Sequence, residues 1–235
     1  MGKRLVIQAR GKGGPSFRAR SFRNVGKPKM PSEFEGKGTV MNLVNCPGHS
    51  APLMEVEYDN GVTCLLQAPK GIRIGEKVDI GGKDTNTGSI LTLNDIPEGT
   101  SIYNIESQPG DGGKFCRTSG LSARITGKTA NYASVLLPSK KERKFPLNCR
   151  ACIGIVAGGG RTEKPILKAG SAHHARRARN KKYPHVRASA QNAVDHPLGN
   201  KRTARKAKQK PVNRFAPPGA KVGKISPKRT GRESN

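Results

Sequence analysis

Tryptophan is absent from this 235-residue chain, and only ten residues are phenylalanine or tyrosine. Hydrophobic residues make up 33% of the total, below the share of a typical globular domain. Large parts of the chain therefore lack the side chains to build a core. Acidic residues are scarce as well: 16 Asp and Glu stand against 44 Lys and Arg, a formal net charge of +28. Such a charge repels itself in an isolated compact body. A polyanion relieves the strain by neutralising the charge and releasing its own counterions, so nucleic acid, an anionic membrane surface and an acidic protein are the candidate partners. Long apolar runs are missing too. Residues 153–157 include Gly154 and fall far short of the ~20 residues needed to span a bilayer. The opening Met1-Gly2-Lys3-Arg4-Leu5-Val6-Ile7-Gln8 has too short an apolar patch for a signal peptide, and no Ser or Thr where a myristoylation motif wants one. Five cysteines, an odd number, predict reduced thiols rather than a disulfide framework.

What is present is unevenly spread. Residues 1–35 carry nine basic and two acidic residues, residues 36–160 fourteen and eleven, and residues 161–235 twenty-one and three. A nearly neutral middle lies between two cationic arms, and the length allows one or two domains. In the N-terminal arm Phe17 and Phe22 are interleaved with Arg18, Arg20 and Arg23 among Gly and Pro. Guanidinium groups grip phosphates, and both residue types stack on unpaired bases. The competing reading is a disordered solubilising arm. The C-terminal arm changes character at Gly158-Gly159-Gly160-Arg161. Residues 172–182 are compatible with a helix whose face is cationic rather than apolar, marginal alone in water and favoured by phosphate. The tail also lacks the amphipathic apolar face of a membrane-surface helix. The last forty residues show almost no hydrophobic periodicity, which predicts disorder until binding.

The middle reads as β structure. Met54-Glu55-Val56-Glu57-Tyr58 alternates apolar and charged, Asp59-Asn60-Gly61 follows, and Val62-Thr63-Cys64-Leu65-Leu66-Gln67 completes a hairpin signal. Further strands are expected at 38–44, 77–80, 101–106, 121–126, 132–137 and 151–156, most of them separated by Gly-, Pro-, Asn- or Asp-containing turns. Many short strands with frequent turns argue for small barrels. A composition dip at Gly81-Gly82-Lys83-Asp84 divides two of them.

Three motifs suggest chemistry. Gly127-Lys128-Thr129 resembles the end of a phosphate-binding loop, but Ser122 stands where the motif needs Gly, and a strand rather than a helix follows. Cys149-x-x-Cys152 and Cys46-x-x-His49 have zinc-ligand spacing, but the gap between them is much longer than in compact zinc modules. Buried cysteine as a small apolar side chain is the competing reading. Asp195-His196 is a tempting acid–base pair, yet no activated Ser or Cys sits in an identifiable elbow. Polar contact with RNA or solvent is the plainer reading for it and for His173 and His174. No metal, cofactor or small-molecule substrate is expected.

The order of the pieces adds a resemblance. Arg10-Gly11-Lys12-Gly13, Ala68-Pro69-Lys70-Gly71, Ile96-Pro97-Glu98-Gly99, Pro109-Gly110-Asp111-Gly112-Gly113-Lys114, Cys149-Arg150-Ala151, Gly158-Gly159-Gly160-Arg161 and Val194-Asp195-His196-Pro197 occur in that sequence. Together they closely resemble the family of large-subunit ribosomal protein two, in its archaeal form, over nearly the whole chain. The resemblance implies an OB-like barrel followed by an SH3-like barrel, with basic extensions threaded into large-subunit rRNA. It implies a cytoplasmic, ribosomal, non-enzymatic protein that supports subunit association, tRNA binding and peptide-bond formation near the peptidyl transferase centre, the chemistry itself belonging to RNA. Its partners would be large-subunit rRNA, neighbouring ribosomal proteins and, indirectly, the small subunit and tRNA.

The expected organisation is a basic arm over 1–36, an OB-like barrel over 37–82, an SH3-like barrel over 83–160 and a basic extension over 161–235. Expected rRNA contacts in the N-terminal arm are Arg10, Lys12, Arg18, Arg20 and Arg23; in the middle, Lys114, Arg117 and Arg150. In the C-terminal extension they are Arg161, Lys168, His173, His174, Arg176, Arg177, Arg179, Lys181, Lys182 and Arg187. The family's best-known position is the histidine of Val-Asp-His-Pro, His196 here, so Asn192, Asp195, His196 and Pro197 form the loop expected near the peptidyl transferase centre. Two departures stand beside it. Leu198-Gly199-Asn200 replaces the family's usual aromatic or His followed by two or three glycines, and Gln191 stands where Met is usual. Both predict a locally different backbone path past Pro197.

Overall fold

A computed structural model describes residues 5–32, 35–82, 84–200, 210–217 and 219–227. The chain forms two compact units. One is Arg20–Lys168; the other joins Met1–Ala19 to Ala169–Asn235.

The first unit is a mostly β body. Its strands are β1 (Gly36–Val44), β2 (Leu53–Tyr58), β3 (Thr63–Gln67), β4 (Lys77–Ile80), β5 (Ile90–Thr92), β6 (Ser101–Tyr103), β7 (Ala123–Lys128), β8 (Tyr132–Leu136), β9 (Glu142–Pro146) and β10 (Arg150–Ile153). They hydrogen-bond in the order β3-β2-β1-β4-β5-β10-β6-β7-β8-β9. The Asn60-Gly61 signal marks the β2–β3 hairpin, with Gly61 at φ +77° and Glu57 opposite Thr63. The turn spans four residues, because Val62 bonds Tyr58 through its carbonyl instead of starting the strand. The expected strand at 121–126 begins two residues late at Ala123, and the one at 101–106 ends early at Tyr103, where an isolated bridge from Ile105 to Phe115 takes over. Two strands escaped the sequence pattern. β9 buries only Phe145, so nothing alternates. β5 is three residues long with two adjacent apolar side chains.

Those adjacent apolar residues explain how one sheet holds two cores. Successive strand residues face opposite sides. Ile90 enters a cluster with Val40, Met54, Val56, Leu66 and Val78. Leu91 enters a second cluster with Ile96, Ile102, Ile125, Val135 and Phe145. β10 repeats the device, sending Cys152 to the first cluster and Ala151 and Ile153 to the second. Each such large side chain contributes about 1.5–3 kcal/mol when fully buried.

A buried ion pair links these strands. Arg150 is 1% exposed, and its Nη2 donates to Glu106 Oε1 at 2.9 Å. The Arg150 backbone N–H donates to Glu106 Oε2 at 2.9 Å, and the Glu106 N–H returns a bond to the Arg150 carbonyl at 3.0 Å. The same carboxylate accepts the N–H groups of Gly110 and Gly112. It thereby fixes the Pro109-Gly110-Asp111-Gly112-Gly113 loop. Gly113, at φ +91°, lies so close to Asn104 that a Cβ there would come within 2.3 Å of its Oδ1. The loop in turn holds the residues leading into β1. Met30 donates its N–H to the Gly112 carbonyl and is 2% exposed in the first core, and Arg117 donates to the carbonyls of Gly113 and Pro28.

Removing one partner of such a pair strands a charge in the interior. Glu106→Gln is expected to lower the stability of the body by about 3–5 kcal/mol, measured by urea denaturation of the full chain. An unchanged midpoint would show that the pair carries no such weight.

Candidate nucleic-acid interface

The second unit is built from the two ends of the chain and is overwhelmingly cationic. Residues 1–19 and 169–235 hold 23 Lys and Arg against Asp195 and Glu233. Among the described residues its helices and strands are short: α1 (Val6–Gly11), 3-10 turns at Pro15–Phe17 and Ala188–Ala190, α2 (Ala169–Ala178), and two-residue strands β11 (Pro211–Val212) and β12 (Lys224–Ile225), paired in parallel. The disorder expected of the last forty residues thus gives way to a small strand pair. Residues 201–209 and 228–235, where that expectation also falls, lie outside the described residues, as does Lys83 in the composition dip.

α2 begins three residues before the expected helix and stops four residues short of its end. None of its side chains is buried. Alanine favours the helix, and Arg176 and Arg177 in the last turn complement the helix dipole. Asn180 ends it. At φ +50° Asn180 takes the left-handed conformation of a helix-terminating residue, and the Lys181 N–H reaches back to the Arg176 carbonyl at 2.9 Å. The Asn180 side chain then donates to the carbonyls of Ser16, at 2.8 Å, and Arg18, at 2.7 Å. His173 packs edge-on against His174 and Tyr183.

The expected contact residues fall into distinct groups. Lys12, Arg18, Arg20, Arg161, Lys168, His173, His174, Arg176, Arg177, Lys181, Lys182 and Arg187 are exposed, while Arg10, Arg23 and Arg179 are half-buried. The interleaved aromatics meet their cations: Arg10 lies over Phe17 in one unit, and in the other Arg20 and Arg23 flank Phe22, which is 75% exposed. Arg161 donates from Nε to Ser119 Oγ at 3.1 Å. Lys114 is exposed and pairs with Asp111 at 3.1 Å. Burial alone would raise the pKa of the Asp111 carboxyl. The N–H donors of Gly113, Ser107 and Gln108, together with Lys114, outweigh it and hold the group below its ordinary value.

Arg150 is the exception. Its guanidinium points into the body and is occupied by Glu106, so the expected surface contact is corrected to an internal tie. Arg117 is half-buried and donates to two carbonyls, which makes it an anchor of the loop. That role was invisible in the sequence, because the carbonyls lie four and 89 positions away.

The loop carrying His196 is closed on itself. The N–H groups of Asp195 and His196 bond the Asn192 carbonyl, and the Asn200 N–H bonds the Gln191 carbonyl at 3.1 Å. His196 is half-buried, and its Nδ1 accepts the Leu198 N–H at 3.0 Å. This places the ring proton of the neutral form on Nε2. Gly199 permits the closure: a Cβ there would sit 2.3 Å from the Asn192 carbonyl oxygen. The path past Pro197 is a tight turn built on one glycine.

The other motifs resolve into structure. Gly127-Lys128-Thr129 lies at the β7–β8 hairpin, where the Lys128 N–H bonds Glu98 and the Thr129 hydroxyl bonds the Tyr132 carbonyl. Cys149 and Cys152 belong to separate cores, and burial pushes their thiols up to about 11 and about 12. Cys46 Sγ lies 3.0 Å from His49 Nδ1. Among the described residues no group of three or more His, Cys, Asp or Glu is placed to hold a metal ion.

Comparison with known proteins finds relatives of the chain among large-subunit ribosomal proteins. The family model described as Ribosomal Proteins L2, C-terminal domain, matches residues 86–216. The chain is 45% identical to large ribosomal subunit protein uL2 of Halorubrum lacusprofundi, over 100% of both chains. It is 46% identical to the uL2 of Methanothermobacter thermautotrophicus, over 99% of both, and 44% identical to that of Haloarcula marismortui, over 100% of both.

The glycine at the loop closure is open to a direct check. Gly199→Ala is expected to speed amide exchange at Asp195, His196 and Asn200 by about tenfold or more, since a broken hydrogen bond and a backbone clash act together. Amides of the β strands should be unchanged. Unaltered protection at the three loop amides would mean the closure tolerates a side chain.

Proposed function

The chain belongs to the ribosomal protein L2 family of the large ribosomal subunit, with relatives of archaeal type, and from that premise we propose that it is a structural, rRNA-binding constituent of the cytoplasmic ribosome whose two terminal arms lie against phosphate. The observation that carries the proposal is the partition of charge. The unit made of the two ends has 23 cations and two acids. Lys and Arg there neutralise phosphates and release counterions. The small residues beside them, as in Lys168-Ala169-Gly170-Ser171-Ala172, allow close approach to RNA. Ordering an arm costs about 1–2 kcal/mol per residue. The turns already formed at α2 and around His196 reduce that cost for their own residues.

The body supplies the platform. Every member of the second core cluster follows Ile90, and most of the first lies at or before it, with Tyr103, Cys152 and Val156 packing back onto it; this supports an OB-like half over 37–82 and an SH3-like half over 83–160, flanked by arms at 1–36 and 161–235. The proposed rRNA contacts are the exposed and half-buried cations of the two arms together with Lys114, without Arg150 and with Arg117 as a positioning residue. Neighbouring ribosomal proteins complete the setting. Asn192, Asp195, His196 and Pro197 form the loop proposed to support tRNA binding, subunit association and peptide-bond formation near the peptidyl transferase centre. With Nδ1 engaged by the Leu198 N–H, the Nε2–H of His196 is the ring donor proposed for RNA. The chain's relatives are large-subunit ribosomal proteins, and the protein is proposed to position RNA rather than to act as an enzyme.

Deleting residues 169–235 is expected to weaken binding to large-subunit rRNA and to flatten the plot of log K against log salt by roughly 0.7–0.9 for each phosphate no longer neutralised. Filter binding across a salt series measures it, and an unchanged slope would remove the tail from the interface. His196→Ala is expected to leave the unfolding of the body unaltered while lowering peptide synthesis by reconstituted large subunits. Full activity in that assay would deprive the loop of its role.

A further inference from the structure

Two cationic arms lie at opposite ends of the sequence, and the structure joins them in one unit. Asn180 carries the joint. Its left-handed backbone ends α2 and turns its side chain to a position where one Nδ2 donates to both the Ser16 and the Arg18 carbonyls. The N-terminal segment contributes Arg10, Lys12 and Arg18, and α2 with its exit contributes Arg176, Arg179 and Lys181. Arg18 holds one of the accepted carbonyls, while Arg179 and Lys181 flank Asn180 in the chain, so the backbones of these three cationic residues come together at the joint. No acidic residue occurs in 1–19 or in 169–194. Cationic segments drawn together by a neutral amide, and carrying no carboxylate of their own, make a place for an external anion.

We propose that residues 10–18 and 176–182, clamped by Asn180, form one composite phosphate-binding surface that engages a single folded RNA element, so that the two arms bind cooperatively. The inference rests on the rRNA-binding function proposed above and adds that neither arm is a complete site. RNA is the occupant the features favour. Several phosphates at fixed spacing satisfy a set of exposed and half-buried guanidinium and ammonium groups, which a single carboxylate does not. The Phe17 ring under Arg10 adds a face on which an unpaired base can stack. Asn180 is thus a positioning residue: it touches backbone, and the cations touch phosphate.

The test uses the full-length chain and large-subunit rRNA at fixed salt. Asn180→Gly keeps a residue at ease in the left-handed turn, preserves every charge and removes only the two side-chain bonds. It is expected to weaken binding by about fivefold or more. Arg18→Ala and Arg179→Ala, alone and together, complete a double-mutant cycle. A shared surface makes the combined loss clearly smaller than the product of the single losses, because the first change already breaks the site. The proposal is overturned if Asn180→Gly binds like the parent chain, or if the two arginine effects multiply. Absence of rRNA binding by the parent chain itself would instead defeat the broader function, so the two failures are distinct.

Discussion

The buried carboxylate of Glu106 is the tie on which the body depends. It neutralises a guanidinium that has almost no contact with water, accepts a backbone N–H from the same arginine and accepts two more from Gly110 and Gly112. A charge in the interior is tolerable only when its lone pairs are used in this way. Because Glu106 follows β6 and Arg150 opens β10, the pair braces strands that serve both cores. Through the glycine loop it also reaches Met30 and Pro28, which bring the residues before β1 onto the body.

Outside that tie the molecule separates two tasks by charge. The body buries its apolar residues on both faces of β5 and β10 and carries a modest excess of cations. The terminal unit buries little and carries most of the charge. Neutral devices hold it together: an asparagine amide on two carbonyls, a glycine against a carbonyl and a histidine nitrogen accepting an N–H. Carboxylates in their place would have paired with the neighbouring arginines. Amide and carbonyl bonds make no such claim on the cations, as suits a family of large-subunit ribosomal proteins.

Several features were legible from residues alone. The Asn60-Gly61 hairpin, the alternation in β2, the strands near 38–44, 77–80 and 132–137 and the helix in the C-terminal arm all follow local rules of period and turn chemistry. The ordered motifs carried the family. Others had no local signature. β9 is an edge strand with one buried residue, and nothing in the neighbourhood of Arg150 distinguishes it from an arginine awaiting phosphate. Cys149 and Cys152 share zinc-like spacing, but Cys149 lies just before β10 in the second core while Cys152 lies within β10 and faces the first.

The sequence by itself determined the charge partition, the β character of the middle and the kinship, because composition, periodicity and ordered motifs are properties of the chain read in one dimension. Tertiary structure alone decided which arginines face outward, that Arg117 and Arg150 serve the body, and that the two ends meet at Asn180. Those outcomes rest on partners far away in the chain: Glu106 stands 44 positions from Arg150, and Ser16 stands 164 from Asn180. The use of a donor is settled only when folding brings an acceptor to it.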